Sequence, residues 1–168
     1  MMYWNSFCYV KASWQDLLTV WEKDIRCHPE NPQWIIWKQQ YLAYHRSGMC
    51  QTFVVKKDDH PVGQATLLFS PKCQAIRGRT QLADGKTIVN LNALRIDAQF
   101  QGQGHSSRLI HVMEQEAIKM GYQTITIGVE AKEHKNLAIY RHWGYTQLIH
   151  QEYEDNTLVL YFSKPLQA

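Results

Sequence analysis

The feature that most restricts the fold is a glycine-bearing break between a strand-like and a helix-like run. "KTIVNLNALRI", Lys86 to Ile96, sets Ile88, Asn90, Asn92 and Leu94 on one face and Val89, Leu91 and Ala93 on the other. That alternation is the period of a β-strand. Beyond "DAQFQGQGHSS", Leu109, Ile110, Met113, Ala117 and Met120 recur at helical spacing until Gly121 stops the run. A turn between strand and helix can aim successive backbone N–H groups into one concavity, where the helix N-terminus adds partial positive charge. Gly102 can adopt positive φ, and Gly104 lets backbone approach a ligand with no Cβ in the way. His105, Ser106 and Ser107 add N–H groups that have no partner inside the helix. The turn lacks the third glycine and the later acidic residue of a dinucleotide fold, and the Gly-Lys-Ser/Thr of a P-loop. Taken alone, the glycines favour a structural turn ahead of a capped helix.

The remaining segments supply the context. Tyr3 to Val10 reads as a first strand. Ser13 and Asp16 form a capping-box pair before a helix whose apolar stripe is Leu17, Leu18, Trp21 and Ile25. "CHPENP" breaks it. A second helix spans about Gln33 to His45, with Trp34, Trp37, Tyr41 and Tyr44 on one aromatic face. "QTFVVKK" and "PVGQATLLF", joined by "DDH", predict an antiparallel hairpin. Ser70 to Gly85 reads as a loop holding "IRGR", the one compact basic patch in the first half of the chain. "TITIGV" predicts a buried strand, "NLAIYRHW" a short helix, and "YTQLIHQEY" with "NTLVLYFSK" a terminal strand pair. The expected order is β-α-α-β-β-β-α-β-α-β-β, an α/β (mixed α+β) arrangement with a central sheet flanked by helices.

Composition excludes several classes. The chain has 168 residues, 45% of them hydrophobic, which suits one globular domain with a real core. No apolar run has the length of a membrane span, and the N-terminal residues lack a secretory pattern, so a cytoplasmic protein is expected. Cys8, Cys27, Cys50 and Cys73 form no CxxC pair and match no zinc spacing, so reduced thiols and no metal are expected. The net charge of +3 is spread over mixed-sign stretches such as "KKDD" and "KEHK", which gives no nucleic-acid footprint.

Two motifs in order change the reading of the turn. Gln101, Gly104 and Ser106 follow the Gln/Arg-x-x-Gly-x-Gly/Ala pattern at the head of a long helix, with serine in place of the final small residue. Asn136, Ala138, Tyr140, Gly144 and Tyr145 in "NLAIYRHWGY" form the second motif, one helix and one strand later. The pair resembles the GNAT superfamily of acyl-CoA-dependent N-acetyltransferases over roughly Phe53 to Phe162. The resemblance implies one acetyltransferase domain over residues 1–168. Residues 1–50 would give a strand and two acceptor-side helices, and 51–168 the sheet core with the acetyl-CoA site.

It further implies that backbone N–H groups of Gln101, Gly102, Gln103, Gly104, His105, Ser106 and Ser107 hold the pyrophosphate of acetyl-CoA. Arg108 is a candidate helper. The backbone of Leu94, Arg95 and Ile96 would pair with pantetheine, where a bulge near Asn92 to Leu94 splays the strand. Asn136 is the cofactor-side asparagine, one turn before Tyr140, which would protonate the departing sulfur. A backbone N–H at Leu94 or beside it would stabilise the thioester oxygen. For the base, Glu130 is the first candidate, with His134 or water behind it. The acceptor is expected to be a small-molecule primary amine, with a peptide or protein N-terminus as the alternative. Asp16, Glu22 and Asp24 are candidates to face an ammonium group. A homodimer is left open. Two rival classes are a catalytically silent acyl-CoA-binding module and a nucleotide-phosphate-binding module. The Asn136–Tyr140 pair argues against both.

Overall fold

The computed structural model describes residues 6–167. Its elements are β1 (Phe7–Lys11), α1 (Trp14–Cys27), α2 (Gln33–Arg46), β2 (Cys50–Lys57), β3 (His60–Leu68), β4 (Ile88–Ile96), α3 (His105–Lys119), β5 (Thr124–Glu130), α4 (His134–His142), β6 (Gln147–Glu154) and β7 (Thr157–Pro165). This is the expected order, with one unforeseen 3-10 turn at Ala98–Phe100. The start of the expected first strand, Tyr3 to Asn5, lies outside the described residues. The strands form one mixed sheet in the order β1-β2-β3-β4-β5-β7-β6. β4 and β5 pair in parallel, and α3 is the crossover such a pair requires. None of the described helices is long and apolar enough to cross a membrane.

The chain forms two compact units, one of residues up to Thr66 with Ala93–Met113, the other of Leu67–Asn92 with Glu114 onward. In the first, the Ser13 hydroxyl accepts from the Asp16 N–H at 3.1 Å, and the Asp16 carboxylate accepts from the Ser13 N–H at 2.9 Å. That completes the expected capping box and fixes where α1 begins. Leu17, Val20 and Trp21 of α1 are buried, and the Trp21 ring lies 5.1 Å from Tyr41 of α2. The aromatic face of α2 therefore packs: Tyr41 is buried, and Trp34 and Trp37 meet edge to face at 5.0 Å. The β2–β3 hairpin turns through Asp58 and Asp59, both with positive φ (48° and 67°), as a right-twisted two-residue turn needs.

In the second unit β5 pairs along its whole length with β7. Gly128 is required there because a Cβ would lie 2.7 Å from the Tyr161 ring. The segment between β3 and β4 has no helix or strand, as expected, yet it contributes to the core. Cys73, Ile76, Leu82 and Ala83 are buried, and the Leu82 carbonyl accepts from the Thr126 hydroxyl at 2.7 Å. The basic patch is paired: Arg77 and Arg79 each reach Glu152 and Glu154 of β6, and Arg79 also donates to the Tyr161 hydroxyl. Of the expected α3 stripe, Leu109, Ile110, Met113 and Ala117 are buried, and Met120, just past the end of α3, is exposed.

Two carboxylates organise this unit. Glu114 of α3 accepts from the buried Tyr145 hydroxyl at 3.1 Å and from Lys164 of β7 at 2.7 Å. Burial first, and the Glu114 charge second, hold the Tyr145 phenol far above its ordinary pKa. Asp84 starts β4 by accepting the backbone N–H groups of Lys86, Thr87 and Ile88, each at 2.8 Å. Burial works to raise its carboxyl, but the N–H bonds from Ile88, Lys86 and Thr87 outweigh it and bring the pKa to about 2.

Glu114→Ala strands both the Tyr145 hydroxyl and Lys164. Urea unfolding should show a loss of about 2–4 kcal/mol, with a smaller loss for Glu114→Gln, which keeps an acceptor. Because the folded pKa of Asp84 is depressed below its usual 3.8, its stabilisation is full above that value and fades as pH falls through about 2. Asp84→Ala should cost about 1–2 kcal/mol at neutral pH after solvent screening, with an acid-unfolding limb less steep than wild type.

Candidate functional site

The candidate site begins with a defect in β4. The strand pairs with β5 from Ile88↔Thr124 to Leu91↔Ile127 and no further, although β5 continues to Glu130. Two residues past the last pair, Ala93 sits at φ +59°. A left-handed alanine costs about 1–2 kcal/mol, so the surrounding strands must impose it. It falls inside the stretch Asn92 to Leu94 where a bulge was expected. From here on β4 is held on its β3 side: the Asp97 N–H donates to the Val62 carbonyl at 2.9 Å. Gly63 permits this approach, since a Cβ would lie 2.5 Å from Ile96 Cδ1 and 3.1 Å from the Arg95 carbonyl.

The chain then runs through the 3-10 turn into the glycine turn. Gly102 (φ +74°) and Gly104 (φ +86°) are both left-handed. An added Cβ at Gly102 would meet nothing within 4 Å, so there the glycine serves the backbone angle. Gln101, Gly102, Gln103 and Gly104 are exposed. The N–H groups of Gly102, Gln103 and Gly104 find no acceptor among the described residues. The glutamine side chains are turned back instead. Gln101 Nε2 donates to the Ile96 carbonyl at 2.9 Å, and Gln103 Nε2 to the Gln99 carbonyl at 3.2 Å. The result is an open set of donors on fixed backbone, which fits a multiply charged anion.

His105 holds this turn in place, a role its sequence position did not reveal. Its ring is 4% exposed and packs on Phe7 at 4.3 Å. Nδ1 lies 2.8 Å from the Tyr9 hydroxyl and Nε2 lies 3.3 Å from Gln103 Oε1. Burial, and then the Arg108 charge, lower its pKa. A neutral ring follows, accepting from Tyr9 at Nδ1 and donating to Gln103 at Nε2. Arg108 Nη1 in turn reaches the Tyr9 hydroxyl at 3.4 Å and the Gln103 carbonyl at 3.5 Å. Its guanidinium stands beside Gly104, 3.8 Å from where a Cβ would be. Ser106 is half-buried and Ser107 exposed at the head of α3.

The second group of candidate residues belongs to the other unit. Asn136 and Tyr140 lie four residues apart on α4 and so share a helix face. Asn136 is exposed, while Tyr140 is half-buried with its ring 5.8 Å from Trp143. Burial first, then Glu133, raise the Tyr140 pKa. The phenol therefore keeps its proton at neutral pH, as a proton donor must. Gly144 (φ +100°) ends α4, and the Tyr145 N–H closes back on the Tyr140 carbonyl at 3.1 Å. Glu130 ends β5 with its side chain 42% exposed and 3.6 Å from Lys132 Nζ. His134 is exposed at the first turn of α4.

The acidic residues expected to face an ammonium group are engaged inside the first unit. Asp16 caps α1 and pairs with Lys56 at 3.2 Å, and Glu22 lies 3.7 Å from Lys38. Asp24 accepts from Arg95 at 2.8 Å and from Gln64 at 2.9 Å.

Residues 12–145 match the model of the acetyltransferase (GNAT) family. No curated protein matches the sequence. Several solved structures share the fold at low identity. The ribosomal-protein-S18-alanine N-acetyltransferase of Escherichia coli is 14% identical with a TM-score of 0.72, covering 96% of this chain and 95% of its own. Ard1 of Thermoplasma volcanium is 12% identical with a TM-score of 0.70, covering 97% and 99%. A GNAT family acetyltransferase of Elizabethkingia anophelis, solved with acetyl-CoA bound, is 14% identical with a TM-score of 0.64, covering 97% and 100%.

Proposed function

Because the chain belongs to the GNAT acetyltransferase family, we propose that it moves an acetyl group from acetyl-CoA directly to a primary amine of a small molecule. The observation that carries this reading is the unpartnered N–H array at Gly102, Gln103 and Gly104, just after a strand broken by a left-handed Ala93. The acetyl-CoA in the related E. anophelis structure supports the choice of donor. In this reading residues 1–168 make one transferase domain. The exposed thiols of Cys8 and Cys27 suit the reducing cytoplasm.

The donor supplies a thioester carbonyl and a thiolate leaving group. The turn from Gln101 to Ser107 holds its pyrophosphate, with Arg108 adding charge, and the backbone of Leu94, Arg95 and Ile96 orients its amide chain. Asn136 contributes from the exposed side of α4. The amine nitrogen must be neutral to attack, so its proton leaves to Glu130, directly or through water. As the new C–N bond forms and the C–S bond breaks, the Tyr140 hydroxyl gives its proton to sulfur; the second proton shed by the nitrogen returns to the Tyr140 phenolate through water, so the products are the neutral acetamide and the free thiol. No side chain here is acylated on the way. Ser106 acts through its backbone.

Thiol release from acetyl-CoA, followed with an amine panel, tests this directly. Tyr140→Phe should lower kcat by about 10²–10⁴-fold with little change in the KM of acetyl-CoA. Since the Tyr140 pKa is raised, wild-type activity should persist up to the ordinary tyrosine range, fall only above it, and lose that alkaline limb in the variant. Gly104→Val places a branched side chain at φ +86°, so acetyl-CoA binding by calorimetry should weaken at least tenfold. Glu130→Gln should cut kcat/KM by about tenfold or more; an unchanged value would assign the proton to water alone.

A further inference from the structure

The strongest unassigned cluster surrounds Arg95, in the strand that runs on into the glycine turn. Its guanidinium rests over two touching indoles, 5.2 Å from the Trp21 ring and 5.0 Å from the Trp34 ring, which are 6.4 Å from each other. The Trp34 ring also stacks on His28 at 4.2 Å and 10°. An arginine resting on two ring faces loses flexibility but keeps the donors on its edge. One Nη2–H of its five N–H donors goes to Asp24. Among the described residues, Arg95 Nε is buried with no partner, and so is Trp21 Nε1. Trp21 is 2% exposed, so its indole N–H is an orphan donor in the ring system that carries the arginine. Orphan buried donors cost roughly 1–3 kcal/mol each and mark places where a partner is missing.

The charges favour one kind of partner. Asp24, the carboxylate that could have faced an amine, already accepts from Arg95 and from Gln64 through one oxygen. Nearby Lys23 is paired with Asp97. The aromatic faces that could cage a ligand's cation hold the protein's own cation instead. With Nε buried, what remains are the two Nη1–H and the second Nη2–H on a side chain 30% open to solvent, a fork that can receive a planar carboxylate.

We propose that Arg95 determines acceptor specificity, and that the amine this enzyme acetylates carries a carboxylate, bound by the free edge of the Arg95 guanidinium. The inference rests on the transferase reading above and narrows its substrate class. Arg95 acts on the acceptor through its side chain, while its backbone belongs to the donor.

The test pairs amines that differ only at the carboxyl group: an amino acid, its primary amide, and the matching amine with hydrogen in its place. Wild type should prefer the carboxylate member at least tenfold in kcat/KM over both others. In Arg95→Met the preference should vanish through a higher KM for the amine, with the KM of acetyl-CoA within about twofold. Arg95→Lys, which keeps the charge and the Asp24 pair, should restore part of the preference, and thermal melting should show both variants folded. Equal rates for all three amines in wild type, or a preference that survives Arg95→Met, would overturn the proposal. If no amine is acetylated, the transferase reading fails on its own. Calorimetry still decides the site: the carboxylate member should bind wild type and not Arg95→Met, and equal binding to both would overturn it.

Discussion

The parting of β4 from β5 is the constraint on which the rest of the candidate site depends. A parallel pair that stayed zipped to its end would satisfy every strand N–H and C=O and leave nothing to bind an amide chain. Here the ladder ends at Leu91, and Ala93 takes a backbone angle that alanine normally avoids. The strain is held because both ends of the strand are anchored independently. Asp84 fixes the start through three N–H groups, and the contact of Ile96 with Gly63 fixes the end. The break between the two compact units falls at the same place in β4.

Much of the fold was legible because its signals are local. The capping box at Ser13 and Asp16, the alternation in β4, and the left-handed Asp58–Asp59 turn each depend on a few neighbouring residues. The glycine turn was legible as a shape, and its likeness to a known family came only from a second motif at Asn136 to Tyr145. What stayed hidden depends on residues far apart in the chain. His105 reads as one more polar residue at a helix start, and only the fold brings it to Phe7 and Tyr9. Arg95 reads as a strand residue whose backbone would meet pantetheine, and nothing local tells that its side chain will rest on two tryptophans. The aromatic face of α2 was visible, but whether it packed or stayed open depended on α1.

The same long-range pairings explain why the acceptor is harder to read than the donor. A phosphate is recognised by backbone, so its site needs only the right angles and glycines. An amine's neighbours are recognised by side chains, whose partners are set by tertiary structure. Asp16, Glu22 and Asp24 look alike in the sequence, yet one caps a helix, one lies beside a lysine, and one neutralises an arginine. Their charges were countable from the sequence and their availability was not.

The contact of Tyr9 with His105 has a consequence for how the glycine turn loses its order. β1 is the outermost strand on its side of the sheet, and outer strands open first. Through the Tyr9 hydroxyl this strand steadies the ring that steadies Gln103. Fraying at the margin of the sheet would therefore loosen the glycine turn while leaving every residue of that turn unchanged. Conversely, an anion seated in the turn should slow hydrogen exchange along β1, a strand it never touches.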